Sequence, residues 1–276
     1  MKYLPALLYV FLLACSASGL GGFPTDSDAG NVSACPSQDN SVRESGDNYT
    51  FSNSCTPLQG VSVTIAITQN VVTTNGFGFQ LNADGMLSSN VGWQQYVMAV
   101  DPSGNLYATV DNWDSNNNQI FNQWNYLFKM PQTGDGIPYV PAGYEFSFSL
   151  LSDSNSNIIG CSYAVIDGNG DVVGNYILWL NSLNQYDGGA YSSKDIGPIG
   201  DVTLDVVGFD NSQNTTFTSG GGNIIYHASG ALSVTNGPNK SCVYHFWTAE
   251  SSNSLYGTLP TYSPSGDWVQ SFTYCP

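Results

Sequence analysis

The stretch Val61-Ser62-Val63-Thr64-Ile65-Ala66-Ile67 decides the fold, because every second residue in it is a β-branched apolar residue. Alternation with a period of two marks a strand that has one buried and one exposed face. The same alternation returns at Phe77, Phe79 and Leu81. These two segments predict half-buried strands that build a core together with other strands.

Further segments have the composition of strands, and turn residues separate them. The Asp167-Gly168-Asn169-Gly170 stretch predicts a hairpin turn, since Gly and Asn tolerate positive φ, and Ser219-Gly220-Gly221-Gly222-Asn223 predicts a break between strands. No window has convincing helical periodicity, so the sequence predicts an all-β single domain, a two-sheet antiparallel β-sandwich of jelly-roll or lectin-like type. The further predicted strands are Trp93–Val100, Leu106–Val110, Phe121–Met130, Tyr144–Leu151, Ser162–Ile166, Val172–Leu180, Val202–Phe209, Ile224–His227, Ala231–Val234, Val243–Ala249 and Trp268–Tyr274.

The N-terminus has the pattern of a secretory signal peptide over residues 1–18. A basic Met1-Lys2 start precedes an apolar run from Leu4 to Leu13, and small residues then predict cleavage near Ala17 or Ser18. Residues 19–60 are rich in Gly, Ser and Asp and predict an extended arm tied down by a disulfide. Residues 61–276 are predicted to form the β-sandwich domain, in a protein of the secretory pathway.

Glycosylation sequons agree with that location. Four of them begin at Asn31, Asn48, Asn214 and Asn239. Such sequons in polar stretches predict surface glycans on a secreted protein.

The cysteines outside the leader are odd in number, so they cannot all pair within the chain. An oxidising compartment favours disulfides, and we predict the pairs Cys35–Cys55 and Cys242–Cys275. Cys161 follows an apolar stretch and is predicted to be a buried thiol. The sequence leaves open both the pairing and the oligomeric state.

The charge balance limits the classes of molecule that the protein can bind. Only 9% of residues are charged, yet the formal net charge is −16 and the pI is about 4.1. Binding to phosphate groups requires clustered basic residues. This composition therefore predicts no nucleic-acid partner and no docking to a membrane. The five basic residues are Lys2, Arg43, Lys129, Lys194 and Lys240.

Metal and nucleophile motifs are missing from the sequence. The two histidines, His227 and His245, have no Cys or His at ligand spacing. The Asp167–Asp171 segment resembles a calcium loop but lacks the terminal Glu of an EF-hand, and a hairpin is favoured. No Gly-x-Ser-x-Gly motif occurs. We predict that the protein uses no metal and no cofactor.

The glutamates do not form a recognisable catalytic pair. A glycosidase needs two carboxylates about 5–10 Å apart, and Glu44, Glu145 and Glu250 show no motif that would bring this about. A glutamic peptidase would need a Gln and a Glu on one concave sheet, and Gln94 or Gln95 with Glu250 match by residue type. The sequence around them does not resemble that family.

Several strands combine aromatic and amide side chains. This combination offers flat apolar faces beside neutral hydrogen-bonding groups, and it predicts a site for an uncharged, ring-containing ligand, either a sugar or a hydrophobic small molecule. The segments are Trp93-Gln94-Gln95-Tyr96, Asn112-Trp113, Asn122-Gln123-Trp124-Asn125-Tyr126 and Tyr244-His245-Phe246-Trp247.

Four motifs carry a resemblance that spans most of the chain after the leader. They are Gly76-Phe77-Gly78-Phe79-Gln80-Leu81-Asn82-Ala83, Trp93-Gln94-Gln95-Tyr96-Val97, Pro141-Ala142-Gly143-Tyr144 and Thr248-Ala249-Glu250-Ser251-Ser252-Asn253-Ser254. These motifs resemble a family of secreted fungal proteins with some bacterial relatives. In size, leader and composition the chain is also similar to the hetero-Diels–Alderases of tropolonic sesquiterpenoid biosynthesis, which belong to fungal secondary metabolism.

That resemblance implies a cofactor-free pericyclic coupling of hydrophobic small molecules. A hydroxymethyl tropolone loses water to give an o-quinone methide, which adds across an alkene of a humulene-type terpene. Such an enzyme works by orienting two reactants and by hydrogen-bonding the carbonyl oxygen as it gains charge. As hypotheses under this resemblance, Trp93, Tyr126 and Trp247 form the pocket walls.

The hydrogen-bond donors to the tropolone oxygens are then Gln95, His245 or Lys129.

Two alternatives belong to other classes of protein. A secreted carbohydrate-binding, lectin-like module would use the same aromatic and amide residues, stacking sugars on Trp and bonding their hydroxyls through Asn and Gln. An extracellular hydrolase would depend on Glu250.

Overall fold

The computed structural model describes residues 45–51, 58–85, 93–113, 119–152, 158–179, 199–208, 217–230, 243–248, 255–257, 261–262 and 268–274. The chain divides into the units Met1–Ala34 and Cys35–Pro276, and every described residue belongs to the second. These described residues form 16 strands and contain no helix. None of them therefore belongs to a helix with the length and apolar character needed to cross a bilayer.

The strands are numbered in chain order. Their bounds are β1 Ser45–Phe51, β2 Leu58–Thr73, β3 Phe77–Gly85, β4 Trp93–Val100, β5 Asn105–Trp113, β6 Gln119–Lys129, β7 Tyr139–Val140, β8 Glu145–Ser152, β9 Ile158–Ile166, β10 Val172–Trp179, β11 Ile199–Gly208, β12 Phe217–Gly230, β13 Val243–Thr248, β14 Leu255–Gly257, β15 Thr261–Tyr262 and β16 Trp268–Tyr274.

Strand pairing defines two antiparallel sheets. Sheet A has the order β10-β9-β8-β2-β12-β16, with β7 added to β2 and with β14 and β15 added to β16. Sheet B has the order β6-β5-β4-β3-β11-β1-β13. Between the described strands of the two sheets, β-pairing of the backbone is limited to Ile199 of β11 and Leu58 of β2. The predicted all-β fold with two antiparallel sheets is therefore confirmed.

The core lies between the sheets, as the alternation in β2 requires. Val63 and Ile65 of sheet A are fully buried, and so is Leu81 of sheet B. The rings of Phe79 in sheet B and Phe146 in sheet A lie 5.1 Å apart. Alternate residues of both sheets thus pack face to face, which is the arrangement of a β-sandwich.

A buried hydrogen bond also joins the sheets. The hydroxyl of Tyr163 on β9 donates to the carbonyl oxygen of Thr109 on β5 at 2.6 Å. Cys161, two residues before Tyr163, is a free and buried thiol, which confirms its prediction as a core cysteine. Polar groups in this part of the core are consequently cut off from water.

Burial of these groups predicts loss of stability at alkaline pH. Burial raises the pKa of Tyr163, of Tyr96 and of the Cys161 thiol above their ordinary values. In an unfolded chain a thiol loses its proton near pH 8.5 and a phenol near pH 10. Because the folded protein holds these protons more tightly, its stability is complete below about pH 8 and falls as the pH rises, by up to about 1.4 kcal/mol per group and pH unit.

Urea unfolding measured between about pH 8 and pH 10 tests this slope. The Cys161→Ala variant lacks the group that titrates first in the unfolded chain, so its free energy of unfolding should fall less steeply over that range. Equal slopes for the variant and the wild type would contradict the prediction.

Gly160 on β9 lies where no larger residue fits. A Cβ atom at this position would collide with the backbone carbonyl oxygen of Leu178 on β10 and would lie 3.3 Å from the Cα atom of Trp179. This collision can be relieved only if β10 moves away from β9. We therefore expect Gly160→Ala to lower the free energy of unfolding by about 1–3 kcal/mol.

Gly134 provides the matched control for this prediction. A Cβ atom there would have no heavy atom within 4 Å, and Gly134→Ala should change stability by no more than about 0.5 kcal/mol. Thermal or urea unfolding compares the two variants, and an equal effect of both would show that the contact with β10 is not limiting.

Turn chemistry positions the hairpins as the sequence indicates. Between β9 and β10 the amide of Gly170, at φ 87°, donates to the carbonyl oxygen of Asp167 at 2.9 Å. Asp167 Oδ1 also accepts the amides of Asn169 and Asp171. Backbone hydrogen bonds, the one from Asp171 foremost, lower the pKa of the Asp167 carboxyl. The predicted hairpin is confirmed, and its carboxylate is used within the turn.

Two predicted features of the chain path differ from the structure. Part of the predicted arm, Ser45–Phe51, forms strand β1, which pairs with β11 on one side and β13 on the other. The predicted break at Ser219–Asn223 is wrong, because strand β12 runs through it with register shifts against β2. Gly222 permits this passage, since a Cβ atom there would lie 2.6 Å from the carbonyl oxygen of Ala66.

Several predictions fall outside the described residues. These are the leader 1–18, the sequon residues Asn31, Asn214 and Asn239, the cysteines Cys35, Cys55, Cys242 and Cys275, the segment Ala231–Val234, and Glu250. They stay predictions. The remaining sequon residue, Asn48, lies in β1, where its backbone pairs with Thr203 on one side and Phe246 on the other.

Candidate binding site on the outer face of sheet B

Sheet B has a second face that turns away from the core. Directly opposed residues of antiparallel strands share a face, and Leu81, Tyr96 and Val110 form one such core-facing row. Residues that alternate with them make up what we call the outer face. One outer row is Gln80–Val97–Thr109–Trp124, the next is Gln95–Asp111–Asn122, and the third is Ala99–Tyr107–Tyr126.

The middle of the outer face is sheltered from solvent although it does not belong to the core. Gln80 and Gln95 are each 3% exposed, Thr109 is 1% exposed and Asp111 is 8% exposed. On a sandwich sheet the residues that face away from the core are ordinarily polar and exposed. These four polar side chains are therefore sheltered on a face that is ordinarily solvated, and we take this face as the candidate site.

One atom of this face has an unmet hydrogen-bonding need. The hydroxyl of Thr109 is buried and has no hydrogen-bond partner among the described residues. An unpaired buried polar group costs about 1–3 kcal/mol, so a ligand that supplies a partner would regain that free energy. Thr109 lies directly between Val97 and Trp124 in its row.

Aromatic rings border the sheltered region on the side of β6. The ring of Tyr107 makes edge contacts with Trp124 at 5.6 Å and with Tyr126 at 5.9 Å between centroids. Trp124 is 40% exposed and Tyr126 is 57% exposed. The outer face thus joins an amide and carboxylate region to an accessible aromatic wall.

Asp111 is the charged member of these three rows. Lys129 is the only basic residue within the described ranges, and its backbone pairs with Asn105 at the start of β5. Asp111 lies six residues further along that strand, which corresponds to about 20 Å. Within the three rows Asp111 is therefore the one carboxyl group, and the other polar side chains are neutral amides and hydroxyls.

The structure brings some of the predicted site residues together on the outer face. Gln95 lies in the row that contains Asp111, and Tyr126 lies at the aromatic border. The backbone of Trp93 pairs with Trp113, at the end of β4 and β5 that lies away from Tyr126. Lys129 is exposed at the far end of β6, away from Gln95.

His245 and Trp247 lie on β13, at the opposite edge of sheet B. Four strand spacings separate β13 from β4, or about 19 Å along the sheet. The row of backbone pairs that contains Gln95 continues through Asn82, Thr203 and Asn48 and ends at Phe246 rather than at His245 or Trp247. Gln95 and His245 therefore do not occupy neighbouring positions.

Gln80, Thr109 and Asp111 are site residues that the sequence analysis did not select. Their signal is present in the alternation itself, because each lies between core residues of a strand and opposes an aromatic, amide or apolar residue of the next strand. Gln94, which was paired with Glu250 as one alternative, is fully buried and lies two residues before the core residue Tyr96, on the same face of β4. It faces the core and not the outer face.

A groove between β6 and β10 lies beside the aromatic border of this face. It has a volume of about 260 Å³ and is lined by Tyr126, Leu127 and residues of β10 from Val172 to Tyr176. Of its polar side chains, the hydroxyl of Tyr176 already accepts a hydrogen bond from Gln123 at 3.2 Å. The outer face has the sheltered polar groups, so we take it as the candidate site.

No three His, Cys, Asp or Glu side chains of the described part of the chain come together as a metal-binding group. The strand pairing and the outer face define the class of this protein: a two-sheet antiparallel β-sandwich with a candidate small-molecule site on one sheet.

Comparisons with known proteins find similarity at the level of solved structures. No protein-family model matches the sequence, and neither does any curated protein. Among solved structures the chain is similar to the crystal structure of scytalido-glutamic peptidase with a transition state analog inhibitor, at 10% sequence identity and a TM-score of 0.43, over 84% of this chain and 98% of that one.

Proposed function

We propose that the outer face of sheet B binds uncharged, ring-containing small molecules and that the protein is a secreted, cofactor-free hetero-Diels–Alderase. In this proposal it couples a tropolone o-quinone methide to a humulene-type sesquiterpene. The observation that carries the proposal is the sheltered outer face, where the buried Thr109 hydroxyl lacks a partner among the described residues. A bound ligand with a carbonyl or hydroxyl oxygen would provide that partner.

Two of the motifs that resemble the fungal family contribute to this face. The motif Gly76–Ala83 supplies Gln80 from β3, and the motif Trp93–Val97 supplies Gln95 from the neighbouring strand β4. Both side chains are 3% exposed. The resemblance and the sheltered face thus meet on the same two strands, which supports the proposal.

The residues of the outer face match the needs of a pericyclic reaction. The Gln95 amide donates a hydrogen bond to the tropolone carbonyl, which gains negative charge in the transition state. The Thr109 hydroxyl bonds a second oxygen of the same ring. Trp124 and Tyr126 form an apolar wall for the terpene, and holding both reactants in one orientation lowers the entropic barrier of coupling.

The test uses protein secreted from yeast, so that disulfides and glycans form. It is incubated with a hydroxymethyl tropolone and humulene, and products are followed by chiral liquid chromatography with mass spectrometry. We expect one enantiomer of the adduct, formed faster than with boiled protein. Racemic adduct at the rate of the boiled control would contradict the proposal.

A carbohydrate-binding function is the second candidate, and the exposure of Trp124 and Tyr126 favours it. Aromatic rings exposed at 40% and 57% beside strand amides can stack on sugar faces. This function predicts thermal stabilisation by a sugar that disappears in the Trp124→Ala variant. A screen of neutral mono- and oligosaccharides that leaves the unfolding temperature unchanged would exclude it.

A further inference from the structure

We propose that Asp111 relays the proton whose transfer generates the o-quinone methide, which makes it a catalytic residue of the dehydration that precedes coupling. This inference rests on the proposed function. Coupling itself moves no proton, whereas dehydration of the hydroxymethyl tropolone must move one. A sheltered carboxyl group beside the carbonyl-binding amide is suited to that task.

The position of Asp111 carries the inference. Asp111 on β5 is the direct cross-strand partner of Gln95 on β4, which places their Cβ atoms about 5 Å apart on the same face. Thr109, with its unpartnered buried hydroxyl, is the next outer-face residue of the same strand. A ring whose carbonyl accepts a hydrogen bond from Gln95 therefore lies within reach of the Asp111 carboxylate.

The step is balanced with one carboxylate and no other reagent. The carboxylate accepts the proton of the tropolone hydroxyl, and the electron pair of that O–H bond becomes the new carbonyl. The C–O bond of the hydroxymethyl group breaks, and the departing oxygen takes the same proton from Asp111 to leave as water. The carboxylate is regenerated, and nothing is oxidised or reduced. The hydroxyl and the hydroxymethyl group are attached to adjacent ring carbons, so one carboxylate can reach both of their oxygens.

The other titratable side chains considered for this proton transfer lie farther from Gln95. Lys129 is about 20 Å away along β5 and β6, and Glu145 lies on β8 in sheet A. Asp84 on β3 is the nearest alternative carboxylate, because it lies two residues beyond Asn82, whose backbone pairs with Gln95. It is one strand from β4, so the test includes a variant of it.

The experiment compares two precursors of the o-quinone methide. The hydroxymethyl tropolone needs a proton on its leaving group, whereas the acetoxymethyl tropolone loses acetate without one and gives its hydroxyl proton to solvent. We expect Asp111→Asn to slow stereoselective coupling from the hydroxymethyl precursor by about 10²–10⁴-fold. The same variant should keep a rate close to wild type with the acetoxymethyl precursor. Asp135→Asn, which replaces an exposed carboxylate, is the matched control and should leave both rates unchanged.

The outcomes separate this inference from the proposed function. Equal loss with both precursors, or no loss with either, overturns the role of Asp111. A precursor-dependent loss in Asp84→Asn but not in Asp111→Asn also overturns it. If wild-type protein gives no stereoselective adduct from either precursor, the proposed function itself fails. Recovery of activity by the acetoxymethyl precursor also excludes misfolding as the cause of the Asp111→Asn defect.

Discussion

Replacing Phe79 with alanine is expected to lower the free energy of unfolding by about 3–5 kcal/mol. Phe79 is 1% exposed, and its ring contacts Phe146 of the opposite sheet at 5.1 Å and Phe77 of its own strand at 5.5 Å between centroids. Truncation removes the buried apolar area and leaves a cavity at the contact between the two sheets. Urea unfolding at neutral pH measures the effect.

Tyr126→Ala is the matched control for this large change. Its ring is 57% exposed and contacts Tyr107 alone among the described aromatic pairs, so its loss should cost about 1 kcal/mol or less. If Phe79→Ala were no more destabilising than Tyr126→Ala, the contact between Phe79 and Phe146 would not be holding the sheets together.

Replacing Gln95 with leucine is expected to reduce stereoselective coupling by about 10²–10³-fold, which is the usual effect of removing one donor to a developing oxyanion. Leucine nearly fills the space of glutamine but cannot donate a hydrogen bond. The substrates can still react in solution, so the residual product should be racemic. Rates and enantiomeric excess from the coupling assay test both parts of the expectation.

Gln69→Leu provides the control, because Gln69 lies on β2 of sheet A and is exposed. This variant should couple at the wild-type rate with the wild-type enantiomer. Full activity and full selectivity in Gln95→Leu would remove Gln95 from the site, while the fold would be unaffected by that result.

Strands could be predicted from the sequence where apolar residues define a buried face. The bounds of β4 and β16 agree with the prediction, because Trp93–Val100 and Trp268–Tyr274 have clear strand composition between turn residues. Strand β1 could not be predicted in this way. Its sequence, Ser45–Phe51, has no apolar alternation, and it becomes a strand because β11 and β13 offer backbone partners on both sides.

The site was predictable only in part, for a related reason. Gln95 was found because it belongs to an aromatic and amide motif. Thr109 and Asp111 were missed because alternation of apolar residues identifies the face of a strand that points toward the core. It does not tell whether the opposite face is exposed to solvent. Shelter of that face is a property of the folded chain as a whole, and the sequence of a single strand does not contain it.

The hydrogen bond from Tyr163 to Thr109 has a consequence for engineering this protein. It anchors the backbone of β5 from behind, at the residue whose side chain belongs to the candidate site. We therefore expect substitutions at Tyr163 to move the backbone of β5 at Thr109. The candidate site could then be altered from sheet A without changing any residue of the outer face.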